Sequence, residues 1–141
     1  MPRELVLDCS VALAWLLPDE STATAERLLQ SLDQRCRLWI PALWWYELAN
    51  ALRAAVARRR LSPADADHAL ELIRGLPLYV DTLLGSEAAQ RFDALAREHG
   101  LSAYDAAYLE LAQRRGVPLA TFDAALTTAC RRSGVKLVPG R

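Results

Sequence analysis

The chain has 141 residues, 52% of them hydrophobic and 7% aromatic, enough for one ordinary domain with a buried core. Its 17 basic and 17 acidic residues balance, which excludes a strongly basic coat for nucleic acid and a charge-driven disordered chain. Cys9, Cys36 and Cys130 form no CxxC pair and are odd in number, so we expect free thiols in a reducing cytosol. We find no signal-peptide pattern and no apolar run long enough to cross a bilayer, and therefore expect a cytoplasmic location with no membrane.

Short apolar segments alternate with longer amphipathic ones along the whole chain. In chain order the pattern predicts a strand at 4–8, helices at about 10–17 and 20–34, a strand at 37–40 and a helix at about 42–60. It next predicts a helix from Pro63 to Gly75, a strand at 77–81, and helices at 86–99 and 103–115. A strand at 118–122, a helix at 124–133 and a strand at 135–138 complete the prediction.

Serine and glycine residues mark the ends of several predicted helices. Ser62, Ser86 and Ser102 are placed as N-caps, whereas Gly100 and Gly116 follow helix C-termini. Strands that alternate with helices predict an α/β fold in which helices cover both faces of a parallel sheet. Since no linker, repeat or low-complexity tract interrupts the pattern, we expect residues 1–141 to form a single domain.

Four carboxylates that are distant in sequence lie close to the ends of predicted strands or within the first turns of predicted helices. They are Asp8, Glu47, Asp105 and Asp123. Parallel strands bring their carboxyl ends to one rim of the sheet, so these groups are expected to meet there. Like charges about 4 Å apart repel by roughly 4 kcal/mol at an effective dielectric of 20. Protons or a hard divalent cation would neutralise them, and a magnesium-type site is the first functional hypothesis.

Each of these acids also has a purely structural explanation. Asp8 and Asp123 precede helices, where aspartate is a favoured N-cap, and Asp105 follows Ser102 at the spacing of a capping box. Glu47 lies early in a helix, where the dipole favours a negative charge. The helix phase nevertheless places Asp105 beside the buried stripe and leaves Glu110 and its polar neighbours on the solvent side. Joint placement at one rim is therefore the stronger argument for a functional site.

Four segments of the chain, supported by a fifth, carry a resemblance to a known family. They are LVLDCSVALAWLLPDE (5–20), IPALWWYELANAL (40–52), LSAYDAAYLELA (101–112), GVPLATFDAAL (116–126) and GVKLVP (134–139). The chain resembles the PIN-domain ribonucleases, and within them the VapC toxins of bacterial toxin–antitoxin pairs. This resemblance implies a three-layer α/β/α domain whose parallel five-stranded sheet has the order 3-2-1-4-5.

The resemblance also implies a site and an activity. The acidic set of the family falls on the same four carboxylates, with Asp8, Asp105 and Asp123 as ligands of Mg²⁺ or Mn²⁺. Its supporting hydroxyls fall on Ser10 and Thr121, and Cys9 departs from the more usual Thr or Ser. The implied reaction is hydrolysis of RNA phosphodiesters to 5′-phosphate and 3′-hydroxyl products. The implied partners are the RNA substrate, a small VapB-like antitoxin and a second copy of the chain.

Arginine pairs and a run of aromatic residues admit two explanations each. Arg58–Arg60, Arg114–Arg115 and Arg131–Arg132 could line an RNA groove, yet all lie at predicted helix C-termini, where arginine complements the dipole on the rim opposite the acids. Residues 44–46 (WWY) could stack on bases or pack in the core.

Two other functions compete with cleavage of RNA. A non-catalytic RNA-binding or interaction module would keep the fold, but the presence of all four acids argues against it. A phosphate-receiver domain would use Asp8 for metal, Asp81 as phosphoacceptor, and Thr121 with Lys136 as switch residues. That hypothesis leaves Glu47 and Asp105 without a role.

Overall fold

The computed structural model describes residues 2–138, within which it has seven α-helices and five strands. The strands are β1 (Glu4–Leu7), β2 (Arg37–Pro41), β3 (Leu78–Asp81), β4 (Leu119–Ala120) and β5 (Leu137–Val138). The helices are α1 (Cys9–Leu16), α2 (Ala23–Ser31), α3 (Leu43–Ala57), α4 (Pro63–Arg74), α5 (Ser86–His99), α6 (Ala103–Arg115) and α7 (Ala124–Ser133). The predicted alternation of strands and helices is confirmed.

The five strands form one parallel sheet with the order β3-β2-β1-β4-β5, which confirms the expected topology. β1 is the central strand, and its Val6 lies between Trp39 of β2 and Leu119 of β4. All neighbouring pairs are parallel, so the carboxyl ends of the strands share one rim. The residue that follows β1, Asp8, therefore lies near the middle of that rim.

Helices cover the sheet in a three-layer α/β arrangement with one continuous hydrophobic core. α6 packs on β1, β2 and β4, and α5 packs on α6, while α1 packs against α2 and α3. Leu5, Val6 and Leu7 are almost completely buried, which explains why β1 is an unbroken apolar run instead of an alternating one. In the described part of the chain, no helix is long and apolar enough to cross a membrane.

Several predicted element boundaries differ from the structure because capping groups decide them. Residues 18–20 form a 3₁₀ turn, and α2 begins only at Ala23 because the hydroxyl of Thr22 accepts a hydrogen bond from the amide of Ala25. The predicted cap at Ser86 is wrong, since this serine is the first residue of α5 and Gly85, at φ 97°, holds the cap position. Only glycine adopts that backbone conformation without strain.

The predicted third helix and two strands are shorter in the structure. α3 ends at Ala57 instead of residue 60, and Arg59 has a positive φ of 57° just beyond it. β4 comprises Leu119 and Ala120 alone, and β5 begins at Leu137. Residue 1 and residues 139–141 lie outside the described part of the chain, so a single domain over 1–141 stays a prediction.

Candidate active site at the carboxyl rim of the sheet

Asp8 occupies the N-cap position of α1, but its side chain makes no capping hydrogen bond. The carboxylate instead accepts hydrogen bonds from the hydroxyls of Ser10, at 2.7 Å, and Thr121, at 2.6 Å. Both bonds end on Oδ2, so neither hydroxyl uses Oδ1. A buried acid that is 5% exposed and held by two donors is oriented toward the rim, and the N-cap explanation for Asp8 is wrong.

The segment after β4 is tied to the same carboxylate. Thr121 Oγ1 accepts a hydrogen bond from the amide of Asp123 at 3.0 Å, and Ser10 Oγ accepts one from the amide of Phe122, also at 3.0 Å. Each hydroxyl therefore donates to Asp8 and accepts from the next chain segment. This pair of links fixes the β4–α7 turn relative to the end of β1, although the two segments lie more than a hundred positions apart in sequence.

Asp123 and Asp105 lie at the N-termini of α7 and α6. Asp123 Oδ1 caps α7 by accepting from the amide of Leu126 at 2.8 Å, which confirms its structural explanation. Ser102 caps α6 through the amide of Asp105 at 3.1 Å, as the spacing predicted. Ser102 thus accepts the hydrogen bond that caps α6. The carboxylate of Asp105, which does not serve as the cap, lies half-buried in the first turn.

Glu47 reaches the site from the second turn of α3. Its Oε1 accepts a hydrogen bond of 2.5 Å from the hydroxyl of Tyr108 on α6. Tyr108 is fully buried, and the pKa of its phenol is raised by that burial and by the charges of Asp8 and Glu47, so it stays protonated and acts as a donor. Tyr108 is a site residue that the sequence placed only on the buried stripe of α6. Its spacing from Asp105, three positions on one helix, was the available signal.

The negative charges of neighbouring acids raise the pKa values of three of the four carboxylates. Burial raises the pKa of Asp8, and the charge of Asp123 raises it further against the lowering effect of the two hydroxyls. The pKa of Glu47 is raised by burial first and then by the charges of Asp8 and Asp105. Burial also raises the pKa of Asp105, as do the charges of Asp123 and Asp8. The four predicted acids therefore lie near enough for their charges to interact.

The donor chemistry of this site fits a hard divalent cation that keeps much of its water. Among residues 2–138, no group of three or more Asp, Glu, His or Cys side chains is placed so that its members could together hold a metal ion. Mg²⁺ binds such sites through one or two carboxylates and retains several waters, whereas Zn²⁺ and Ca²⁺ use more protein ligands. Burial and neighbouring negative charges raise the pKa values of Asp8, Glu47 and Asp105, and such an ion stabilises carboxylates in that kind of environment.

One prediction about the polar residues of α6, that for Glu110, is wrong. Glu110, expected on the solvent side, is 5% exposed because α5 covers that face of α6, and it binds Arg114 through 2.7 Å from Oε1 to Nε. Arg114 also binds Oδ2 of Asp81 at 2.6 Å, and Arg115 binds Oδ1 of the same residue at 3.1 Å. This arginine pair therefore serves an ion-pair network that includes the carboxyl end of β3.

The receiver alternative fails on the same geometry. Asp81, its phosphoacceptor, lies in the edge strand β3 and is ion-paired, and Lys136 adjoins the opposite edge strand β5. Four strand spacings of about 4.8 Å separate these edges, or roughly 19 Å.

In the aromatic run, Trp44 is fully buried in the core, whereas Tyr46 is 79% exposed. Core packing is thus confirmed for Trp44, whereas stacking of the exposed Tyr46 on bases stays a prediction.

The fold and the acidic rim define the class of protein, and comparison with known proteins agrees. The chain belongs to the PIN domain family, which matches residues 5–131. It is 32% identical over 120 residues to a protein named Ribonuclease VapC3 from Pyrobaculum aerophilum, covering 85% of this chain and 89% of that one. It is 34% identical over 137 residues to Ribonuclease VapC9 from Mycobacterium tuberculosis, covering 96% and 98% of the two chains.

Solved structures share the fold. The crystal structure of PAE2754 from Pyrobaculum aerophilum has a TM-score of 0.68 at 25% identity, covering 96% of this chain and 84% of that one. FitAcB from Neisseria gonorrhoeae has a TM-score of 0.65 at 17% identity, covering 94% and 95%. VapBC2 from Rickettsia felis, solved with a DNA fragment from its promoter, has a TM-score of 0.66 at 12% identity, covering 95% and 96%. The last two likenesses establish the fold alone.

Proposed function

We propose that this protein is a Mg²⁺- or Mn²⁺-dependent ribonuclease that acts as the toxin of a VapBC-type toxin–antitoxin pair. The observation that carries the proposal is the acidic rim, where Asp8 is buried, held by two hydroxyls and coupled to three further carboxylates. Membership of the PIN family and the relatives named VapC ribonucleases support a nuclease activity. The metal dependence rests on the chemistry of the carboxylates.

Asp8, Asp105 and Asp123 are the groups that would hold the cation, either directly or through its waters. When bound, Mg²⁺ or Mn²⁺ lowers the pKa of a coordinated water and stabilises negative charge on the phosphoryl oxygens. Ser10 and Thr121 orient Asp8 by donating to Oδ2, so the cation or one of its waters would be held through Oδ1. Asp123 performs two tasks, because Oδ1 caps α7 while its charge contributes to the same field.

Glu47 is the candidate proton acceptor for the attacking water. Tyr108 holds Oε1, which leaves Oε2 to bind and orient water. A carboxylate whose pKa is raised is a better base than an ordinary surface glutamate, as long as it stays ionised. The hydrogen bond from Tyr108 favours the ionised form and so sets the lower pH limit of this role.

The proposal includes partners and a compartment. A toxin–antitoxin complex from Klebsiella pneumoniae and VapBC2 from Rickettsia felis share the fold, which supports a small antitoxin partner here. A homodimer and a cytoplasmic location complete the proposal. Three free, buried cysteines suit a reducing compartment.

Cleavage of RNA by the purified protein tests the activity. We expect cleavage with Mg²⁺ or Mn²⁺, loss of cleavage with EDTA, and recovery when the metal is restored. Asp8→Asn and Asp105→Asn should abolish cleavage while circular dichroism and thermal unfolding remain those of a folded protein. Asp67→Asn, at an exposed acid of α4, is the matched control and should cleave normally. Full activity in the two site variants would refute the assignment of the metal site.

Partner and oligomer tests are separate from the nuclease test. Co-expression with any small protein that an adjacent reading frame encodes should yield a stable complex that inhibits cleavage. Light scattering after gel filtration should give the mass of two copies for the isolated chain. Recovery of free monomer only in both experiments would contradict the toxin–antitoxin and homodimer proposals and leave the nuclease assignment untouched.

A further inference from the structure

An open groove of about 780 Å³ runs along the β5 side of the molecule and includes part of the candidate active site in its wall. Thr121, which donates to Asp8, and Phe122 line it, as do Arg131 of α7 and Lys136 beside β5. Thr121 of the acidic rim thus shares one depression with two basic residues. Arg131 lies near the C-terminus of α7, and Lys136 lies just before β5. Sequence reasoning placed the α7 arginines on the rim away from the acids, and this groove connects the two ends.

Phe122 is exposed although it is a large apolar residue. Its side chain is 41% exposed, while both of its sequence neighbours belong to the site. Its amide donates to Ser10 Oγ, which in turn donates to Asp8 Oδ2, so two hydrogen bonds hold its backbone at a fixed position relative to the catalytic carboxylate. An exposed aromatic ring held in that way offers a stacking surface for a nucleobase beside the reacting phosphate.

The cations of the groove are available for phosphate. Arg131 and Lys136 make no salt bridge with any acid in residues 2–138, whereas Arg114 and Arg115 are engaged with Asp81. The acidic rim repels a polyanion, and the formal charge of the chain is zero, so uncommitted cations are needed to hold RNA near the acids. A groove that carries two such cations at a distance from the acids fits the phosphate backbone of a single strand.

We propose that this groove binds single-stranded RNA, with the base next to the cut stacked on Phe122 and nearby phosphates held by Arg131 and Lys136. The inference rests on the proposed nuclease function and deepens it by assigning the path of the substrate. Phe122 contacts substrate as a stacking platform, and the two cations supply sequence-independent affinity. The stacking role and the phosphate-binding role predict different salt dependences of RNA affinity.

Binding of a short fluorescent single-stranded RNA in EDTA, followed by anisotropy, tests the groove without requiring cleavage. Phe122→Ala should weaken binding by about tenfold to a hundredfold with little change in salt dependence, and Phe122→Trp should restore affinity. Arg131→Ala with Lys136→Ala should reduce the slope of log K against log salt by about 1.4, since each phosphate contact contributes about 0.7 for single strands. Arg132→Ala is the matched control, because this residue is exposed beside Arg131 but does not line the groove.

A small diester, bis(4-nitrophenyl) phosphate, separates the groove from the chemistry because it is too short to occupy both. The groove variants should raise the KM for RNA by a larger factor than the KM for this diester, whereas Arg132→Ala should leave both values unchanged. Unchanged RNA affinity and salt slope in Phe122→Ala and the double variant overturn the groove, as does an equal loss in Arg132→Ala. A wild-type protein that binds RNA through these residues yet hydrolyses neither substrate supports the groove and overturns the proposed nuclease function.

Discussion

Replacing Tyr108 with phenylalanine should move the acid limb of the pH–rate profile to higher pH. The lost hydroxyl donates to Oε1 of Glu47 at 2.5 Å, and this hydrogen bond lowers the pKa of the glutamate against the raising effects of burial and neighbouring charge. Without the bond the pKa of Glu47 rises further. A larger fraction of Glu47 is then protonated at a given acidic pH, and protonated Glu47 cannot accept a proton from water.

The size of the shift follows from the hydrogen bond and the solvation of its acceptor. A hydrogen bond to a charged group is worth about 1.5–3 kcal/mol. Glu47 is half-buried, so water replaces part of the lost interaction, and about 1 kcal/mol or slightly more remains. Because one pKa unit corresponds to about 1.36 kcal/mol, the limb should move by about 0.5 to 1 unit, with a roughly three- to tenfold lower rate below it.

Single-turnover cleavage of an RNA oligonucleotide across the acidic pH range, at saturating Mg²⁺, measures this shift. Tyr104→Phe is the matched control, because Tyr104 lies on the same helix beside Asp105 but is 66% exposed, and its profile should match wild type. Superimposable acid limbs for wild type and a folded Tyr108→Phe variant would refute both the role of the hydrogen bond and the assignment of Glu47 as the group that sets the limb.

Three other substitutions test the site and its support. Thr121→Val removes a donor to buried Asp8 and should lower the free energy of unfolding by about 1–3 kcal/mol in urea, together with the affinity for Mg²⁺ measured by calorimetry. Arg114→Met leaves two buried carboxylates with weaker partners and should cost about 2–3 kcal/mol, whereas Arg74→Met, at an exposed helix pair, should cost less than about 1 kcal/mol. Asp105→Asn should unfold at the same or a higher temperature than wild type in EDTA, because it removes like-charge repulsion, and should lose the stabilisation that Mg²⁺ gives to wild type.

Lowering the pH provides a second test of the ion pair between Arg114 and Asp81. Hydrogen bonds from Arg114 and Arg115 outweigh burial and hold the pKa of Asp81 below its ordinary value. Stability from this ion pair is therefore present above the unfolded pKa of about 3.9 and is lost as the pH falls through the lower, folded value. The difference between wild type and Arg114→Met should shrink on acidification. Equal costs for the Arg114 and Arg74 variants at neutral pH would contradict the buried network.

The site acids were predictable from sequence because each of them interrupts or borders an apolar segment. In a parallel sheet the order of strands and helices alone assigns residues after β1 and β4 to the same rim, so Asp8 and Asp123 are paired by topology. Local spacing likewise predicted that Ser102 caps α6, since a cap depends on neighbours within one turn. The parallel α/β class and the candidate acids follow from patterns of this kind, whereas the strand order was predicted from the resemblance to the PIN family.

Other features depended on contacts between remote segments. Whether Asp8 caps α1 or binds hydroxyls was decided by Thr121, which lies 113 positions away, and the partner of Glu47 lies 61 positions away. Glu110 is buried because α5 packs over its face of α6, a fact that the periodicity of α6 cannot report. Sequence determined which groups are present and which end of the fold they occupy. Tertiary packing decided which of their atoms are satisfied, because desolvation and hydrogen-bond partners depend on surfaces brought together only when the chain folds.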